Sequence, residues 1–303
     1  VTVLVLDTAT LYYRAYFALP ETMTAPDGFP NNAVRGTISM LTRLVTRHQT
    51  ADVIACWDDD WRPAWRVELV PEYKAHRLAD DAEVPDTLGP QVTGLADIFD
   101  ALGIPRIGRA NYEADDVIAS VTAHGATERI VVTNDRDLVQ VIHDERQVRL
   151  HMMVPGGLDA WPLLDEKAAH ERFGVEPRQY VDMAVLRGDP SDGLPGAPGI
   201  GVKTAIRLIQ AFGDLDGVLR AALNATAPLT PRLAQTLCEH AESLRAAHTV
   251  ATAVTTLNIP TTALSRRPIR PRLLTQLTAE WGVERLVDEF CSALDAHDNT
   301  PPK

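Results

Sequence analysis

The chain has 303 residues, 45% of them hydrophobic and 23% charged, enough for a sizeable buried core and too apolar for disorder as the main state. Its 29 basic and 41 acidic residues leave a net charge of −12. That argues against a generic basic coat for nucleic acid, but not against an enzyme whose carboxylates serve metal ions. Cys56, Cys238 and Cys291 are few and widely spaced, which predicts neither a disulfide framework nor a zinc site, and a reducing compartment.

The N-terminal run Val1–Leu6 is continuously apolar, as expected of a parallel strand covered on both faces. Asp7 interrupts the run, and no basic segment precedes it, so it reads as a strand rather than a signal peptide. Val34, Ile38, Leu41, Leu44 and Val45 give Ala33–His48 a helical period. Asp52–Trp57 reads as a second strand, Pro90–Leu102 as an amphipathic helix and Ile104–Ile107 as a short strand. A helix over Ala114–His124 and a strand over Arg129–Thr133 follow. This alternation predicts an α/β fold with a mostly parallel sheet flanked by helices. From about Pro177 strand signals fade. Val181–Ala247 is helical, punctuated by GDPSDGLPGAPGIG, and Leu273–Ala296 is a further helix. The residues DNTPPK at the end are expected to fray. A boundary near residue 180 would separate an α/β domain, 1–180, from a helical domain, 181–303. No apolar run approaches the ~20 residues of a membrane span, so no membrane partner and a cytoplasmic protein are expected.

Acids stand where the strands end. Asp7 closes the first strand and Asp58 the second. Glu113, Asp115 and Asp116 open a helix; Asp135 and Asp137 follow IVVT; Asp189 and Asp192 lie in LRGDPSDGLPG. In an open parallel sheet, ligands gather beyond the carboxyl ends of the strands. Any one such acid is more simply a helix cap or turn former. Together they would repel one another severely, and divalent cations would remove the conflict. Oxygen ligands without a His or Cys cluster select Mg²⁺ or Mn²⁺ over Zn²⁺. Two such ions suit in-line phosphodiester hydrolysis. A haloacid-dehalogenase phosphatase is disfavoured, because Ala9 stands where its second aspartate belongs.

LVLDTATLYYRAYFALP, RVELVPEYKAHR, YEADDVIAS, TNDRDLVQVI and LRGDPSDGLPGAPGIGVKTA occur in this order. Together they resemble the structure-specific 5′-nuclease (flap endonuclease, 5′-3′ exonuclease) family, notably the 5′-nuclease domain of bacterial DNA polymerase I, here as a free-standing protein. The resemblance implies a PIN-like fold with a helical arch and a C-terminal helical DNA-binding domain containing a helical hairpin. It implies metal-binding roles for Asp7, Glu113, Asp115, Asp116, Asp135, Asp137 and Asp192, with Asp189 a weaker match. On the second strand, ungapped spacing from Arg66 points to Asp59, while strand-end geometry points to Asp58, which is preferred here. Setting aside the eight carboxylates, Asp58 included, changes the net charge from −12 to −4.

Lys74 is one of four lysines in an arginine-rich set. Lys74 and Arg77, three apart in EYKAHR, are expected on one helix face. A solvated helix is the plainer reading; the resemblance places both at the base of the arch, facing the scissile phosphate as catalytic cations. Arg66 is a weaker cation of the same kind. Arg14 is expected at a phosphate, and Tyr13 either stacks on an unpaired base or packs in the core. In GAPGIGVKTA, Gly199 and Gly201 would bring backbone N–H groups to the duplex backbone beside Lys203 and Thr204. The resemblance implies K⁺ at this turn. The expected activity is cleavage near the junction of a 5′ single strand and a duplex, in replication and repair, by a monomer acting at the nucleoid on branched, nicked or RNA-primed DNA. A non-catalytic junction binder is the alternative from another class. A PIN-type ribonuclease is a third, disfavoured by the helical domain.

Overall fold

The computed structural model describes residues 2–80, 87–124 and 127–298. Six strands form one sheet: β1 (Thr2–Asp7), β2 (Val53–Cys56), β3 (Arg106–Ile107), β4 (Glu128–Thr133), β5 (Val148–Met152) and β6 (Leu163–Leu164). Their order is β3-β2-β1-β4-β5-β6, parallel throughout except for the antiparallel edge pair β5–β6. From β1 the chain runs outward to β2 and β3, then crosses back to β4 on the other side of β1. A crevice therefore opens at the carboxyl end of β1, where the winding reverses.

Between and after the strands run α1 (Thr8–Ala18), α2 (Asn32–His48), α3 (Ala64–Leu69), α4 (Arg77–Asp80), α5 (Leu88–Leu102), α6 (Ala114–Ala123) and α7 (Glu166–Phe173). Then come α8 (Tyr180–Arg187), α9 (Val202–Phe212), α10 (Leu215–Leu223), α11 (Pro231–Glu239), α12 (Ala241–Ala251), α13 (Pro271–Trp281) and α14 (Glu284–His297). None of the described helices is long and apolar enough to cross a membrane. Residues 81–86, in the segment expected to form the arch, and the tail from residue 299 lie outside the described residues.

The strands are apolar on both faces because each face carries a core. Val5, Ile54, Cys56 and Val131 point to one side, where α6 and α8–α12 pack. Leu4, Leu6, Val53, Ala55, Ile130 and Val132 point to the other, against α2 and α5. The period of two along each strand divides the residues between these cores.

Within residues 181–303 the helices divide between the two cores. α8–α12 share the first core. Leu277 and Trp281 of α13, Val283 at the cap of α14, and Val287, Phe290 and Leu294 of α14 belong to the second. The last two helices thus pack on the second face of the sheet, with α2 and α5, rather than with α8–α12. Gly94 on α5 leaves the room that the Trp281 indole fills: a Cβ there would lie 2.3 Å from the ring. The hairpin of α8 and α9 is present as expected.

Candidate active site

Asp7 is both the last residue of β1 and the N-cap of α1. Its carboxylate accepts hydrogen bonds from the Thr10 backbone N–H (3.3 Å) and hydroxyl (2.5 Å), and from the Thr133 hydroxyl (2.6 Å). Burial raises its pKa, with the hydrogen bonds opposing and Asp135 adding to the rise. Asp58, two residues beyond β2, accepts the Ala114 N–H at 2.8 Å and is raised by burial and by Asp7. Asp59 turns away and lies against Gly108, where a Cβ would meet its carboxylate at 2.2 Å. Strand-end geometry, rather than ungapped spacing, places the acid in the crevice.

That crevice, of about 570 Å³, is lined by Asp7, Asp58, Glu113, Asp115, Asp135, Lys74 and Arg77, with Tyr12, Tyr13, Phe17 and Trp61 at its sides. Enclosure and the facing carboxylates of Asp135 and Asp7 push Asp115 well above the usual carboxylate range. Asp135 is raised by desolvation and by Asp192. Asp137, at the start of a 3₁₀ turn, is raised by desolvation, Asp135, Asp192 and Asp189. Asp135 thus adds to the rise of Asp7, Asp115 and Asp137 alike. Among the described residues, no three His, Cys, Asp or Glu side chains close on one point as a ready-made metal cage. The acids ring an open space instead.

Asp116, expected among the metal ligands, is fully buried behind the crevice. Its two oxygens form a fork with Arg66 (2.8 and 2.7 Å) and accept the backbone N–H groups of Glu113 (3.1 Å) and Val254 (2.8 Å). Arg66, expected at DNA, is only 2% exposed. It also donates to the Val250 carbonyl (2.9 Å) and meets Glu113 at 3.2 Å. Asp116 raises the Arg66 pKa against the opposing effect of burial. Both residues are consumed in fixing the start of α6 against the segment after α12. Arg14, expected at a phosphate, donates its guanidinium to the Val154 carbonyl (2.8 Å) and lies 5.2 Å from the Trp161 ring, away from the crevice.

Lys74 and Arg77 do reach the crevice, but not from one helix face. Residues 71–76 form successive turns, and α4 begins only at Arg77. Lys74 has φ +49°, and its N–H donates to the Asp192 carbonyl at 3.0 Å. The loop carrying Asp192 must approach this turn closely: a Cβ on Gly193, at φ +73°, would sit 2.3 Å from the Glu72 carbonyl. The Lys74 ammonium pairs with Glu113, and Tyr73 donates to the same carboxylate at 2.8 Å. Burial alone would depress the ammonium; Glu113 more than offsets it, so the Lys74 pKa is raised. Arg77 bridges the Ser191 carbonyl (2.8 Å) and Asp192 (2.9 Å). Thr10, Thr133 and Tyr73 hold the acids in place; both threonines lie within the quoted motifs, but residue type alone does not single out their hydroxyls.

The hairpin turn lies apart from this crevice. Gly199, at φ +80°, has open space around it, and Gly201 caps α9 with no side-chain hydrogen bond. Gly199, Gly201 and Lys203 are exposed, and Thr204 is half-buried.

Replacing Arg66 by Met should destabilise the fold by about 3–5 kcal/mol, because Asp116 would be left charged and unpaired in the interior. Urea denaturation measures this. A loss below about 1 kcal/mol, accompanied by weaker DNA binding, would instead return Arg66 to the DNA-contacting set.

Family models for the 5′-3′ exonuclease N-terminal resolvase-like domain and C-terminal SAM fold match residues 2–174 and 175–271. A 5′-3′ exonuclease of Streptomyces coelicolor is 46% identical over 302 residues, covering 97% of this chain and all of that protein. Among solved structures, T5 5′-exonuclease with bound divalent metal ions (zinc) aligns with TM-score 0.65 at 17% identity, over 98% of this chain and all of that one. The catalytic core of Rad2 in complex with DNA substrate aligns with TM-score 0.65 at 15% identity, over 97% and 92%. The chain belongs to the 5′-3′ exonuclease family, a family of phosphodiester-cleaving hydrolases.

Proposed function

We propose that this protein is a divalent-metal-dependent flap endonuclease and 5′-3′ exonuclease. It hydrolyses DNA phosphodiesters near the junction of a 5′ single strand and a duplex and leaves a 5′-phosphate. The observation that carries the reading is the convergence of Asp7, Asp58, Glu113, Asp115 and Asp135 with Lys74 and Arg77 in one crevice at the ends of β1, β2 and β4. The Rad2 core in complex with DNA supports a DNA substrate.

The donor set fits hard cations. Every donor is a carboxylate oxygen. Burial raises Glu113, and burial with repulsion from neighbouring acids raises Asp7, Asp58, Asp115, Asp135 and Asp137, a conflict that positive charge relieves. Those six and Asp192 would hold Mg²⁺ or Mn²⁺, and a set of seven carboxylates suits two ions. Bound there, the ions supply Lewis acidity toward phosphate oxygens.

The chain's own residues do the rest. Thr10 and Thr133 fix the Asp7 carboxylate, and Ala114 fixes Asp58. Lys74 and Arg77 offset charge that develops on the phosphate. Tyr13 stacks on an unpaired base. The turn Gly199–Gly201, with Lys203 and Thr204, holds the duplex backbone without reading its sequence, with K⁺ at the turn. The protein works as a cytoplasmic, nucleoid-associated monomer on branched, nicked or RNA-primed ends in replication and repair.

Asp58→Asn should lower cleavage of a labelled flap in Mn²⁺ on the order of 100-fold, while Asp59→Asn leaves it near parental. The reverse ranking would place the ligand at Asp59. In single-turnover cleavage with all substrate bound, Lys74→Ala and Arg77→Ala should each lose on the order of 100-fold. Parental rates for both would make them bystanders.

A further inference from the structure

Lys74 keeps its place against its own backbone. Its φ of +49° is left-handed, a conformation that is costly for a residue with a Cβ and persists only where the surroundings over-determine it. Two restraints come from the crevice side: the Lys74 N–H donates to the Asp192 carbonyl at 3.0 Å, and the ammonium pairs with Glu113. Both end on residues proposed to meet metal ions, so neither holds the turn independently of what fills the crevice. A third restraint comes from outside. Arg62, half-buried in the segment between β2 and α3, is not among the residues lining the crevice. Its Nε donates to the Tyr73 carbonyl at 2.6 Å and its Nη2 to the Pro71 carbonyl at 2.9 Å. Its own backbone N–H donates to the Asp60 carboxylate at 3.2 Å, and Pro63, with its restricted φ, follows as the cap of α3.

The Tyr73 carbonyl and the Lys74 N–H belong to one planar peptide and point in opposite directions. Arg62 grips the first and the Asp192 carbonyl accepts from the second, so that peptide plane is pinned from both sides. With the plane fixed and the ammonium drawn to Glu113, the left-handed φ of Lys74 is the rotation that joins them. A guanidinium suits the outer grip, because its planar fork reaches two carbonyls at once and stays charged. We propose that Arg62 is a positioning residue for Lys74. It holds the Tyr73–Lys74 peptide from outside the crevice, so that the ammonium stays aimed at the phosphate when ions take up Glu113 and Asp192. This rests on the proposed role of Lys74 and adds to it a residue that touches neither DNA nor ion.

A double-mutant cycle of Arg62→Ala and Lys74→Ala in the full chain tests this, read by single-turnover cleavage of a labelled flap in Mn²⁺ with all substrate bound. Arg62→Ala alone should lose about 10- to 100-fold. Arg62→Lys, which cannot fork onto both carbonyls, should lose less, and it carries the same cycle should Arg62→Ala fail to fold. In the Lys74→Ala background, losing Arg62 should cost at most about 2-fold further. Flap affinity of Arg62→Ala, measured by fluorescence anisotropy without divalent metal, should match the parent. A full Arg62→Ala loss on top of Lys74→Ala overturns the proposal, because Arg62 would then act through Glu113 or through the fold at large. A rate loss matched by weaker flap binding overturns it too. A parental rate in Arg62→Ala beside an impaired Lys74→Ala sinks this inference and leaves the functional reading standing. If Lys74→Ala itself cleaves at the parental rate, the role given to Lys74 fails, and this inference with it.

Discussion

A single buried guanidinium organises the acidic end of this molecule. Arg66 forks onto Asp116, meets Glu113 and caps the Val250 carbonyl. It joins α3, the start of α6 and the end of α12 at one point. Glu113 and Asp116 also close a capping box at the start of α6, so the backbone N–H groups that would be orphaned there are satisfied by the same carboxylates. The pair is costly to desolvate and would be strongly destabilising to break. Its benefit is positional. With Asp116 fixed behind, Glu113 and Asp115 face the crevice, and the Ala114 N–H between them reaches Asp58.

From that anchor a second line of charge leads outward. Glu113 holds Lys74, and Asp192 holds Arg77. Each cation proposed to meet a phosphate is therefore already paired with a carboxylate proposed to meet an ion. The left-handed backbone at Lys74 and the glycine at 193 let the two segments come together. The fold thus concentrates negative charge at the strand ends and sets two positive groups at its edge.

The sequence makes some of this legible and hides the rest for physical reasons. Asp7, Asp58 and Asp135 are readable because a parallel strand declares itself by an apolar run, and the first carboxylate after that run must lie at the sheet's carboxyl end. Asp116 looks like its neighbours in YEADD. Only the partner 50 residues away in the chain, Arg66, shows that it faces inward. The spacing of Lys74 and Arg77 suggested a helix, but a long-range contact with the Asp192 loop imposes turns instead. Leu273–Ala296 reads as a helical region, yet nothing local tells that α13 and α14 return to the first domain's core. β5 and β6 are not legible in the sequence, because VRLHM mixes charge into a strand and LL is too short to carry a period.

The central claim is that the carboxylate cluster opposes folding until cations offset it. A carboxyl whose pKa is raised in the folded state favours folding below its unfolded pKa, and that contribution is lost as pH rises through the folded value. At pH 7, without metal, Asp115 should therefore be a burden on stability. Thermal melting of the parent and of Asp115→Asn, each with and without Mn²⁺, measures this directly. The account predicts a higher metal-free Tm for the variant than for the parent, and a Mn²⁺-induced rise in Tm that is large in the parent and much smaller in the variant. A variant that melts lower without metal, or that gains as much from Mn²⁺ as the parent, would contradict it.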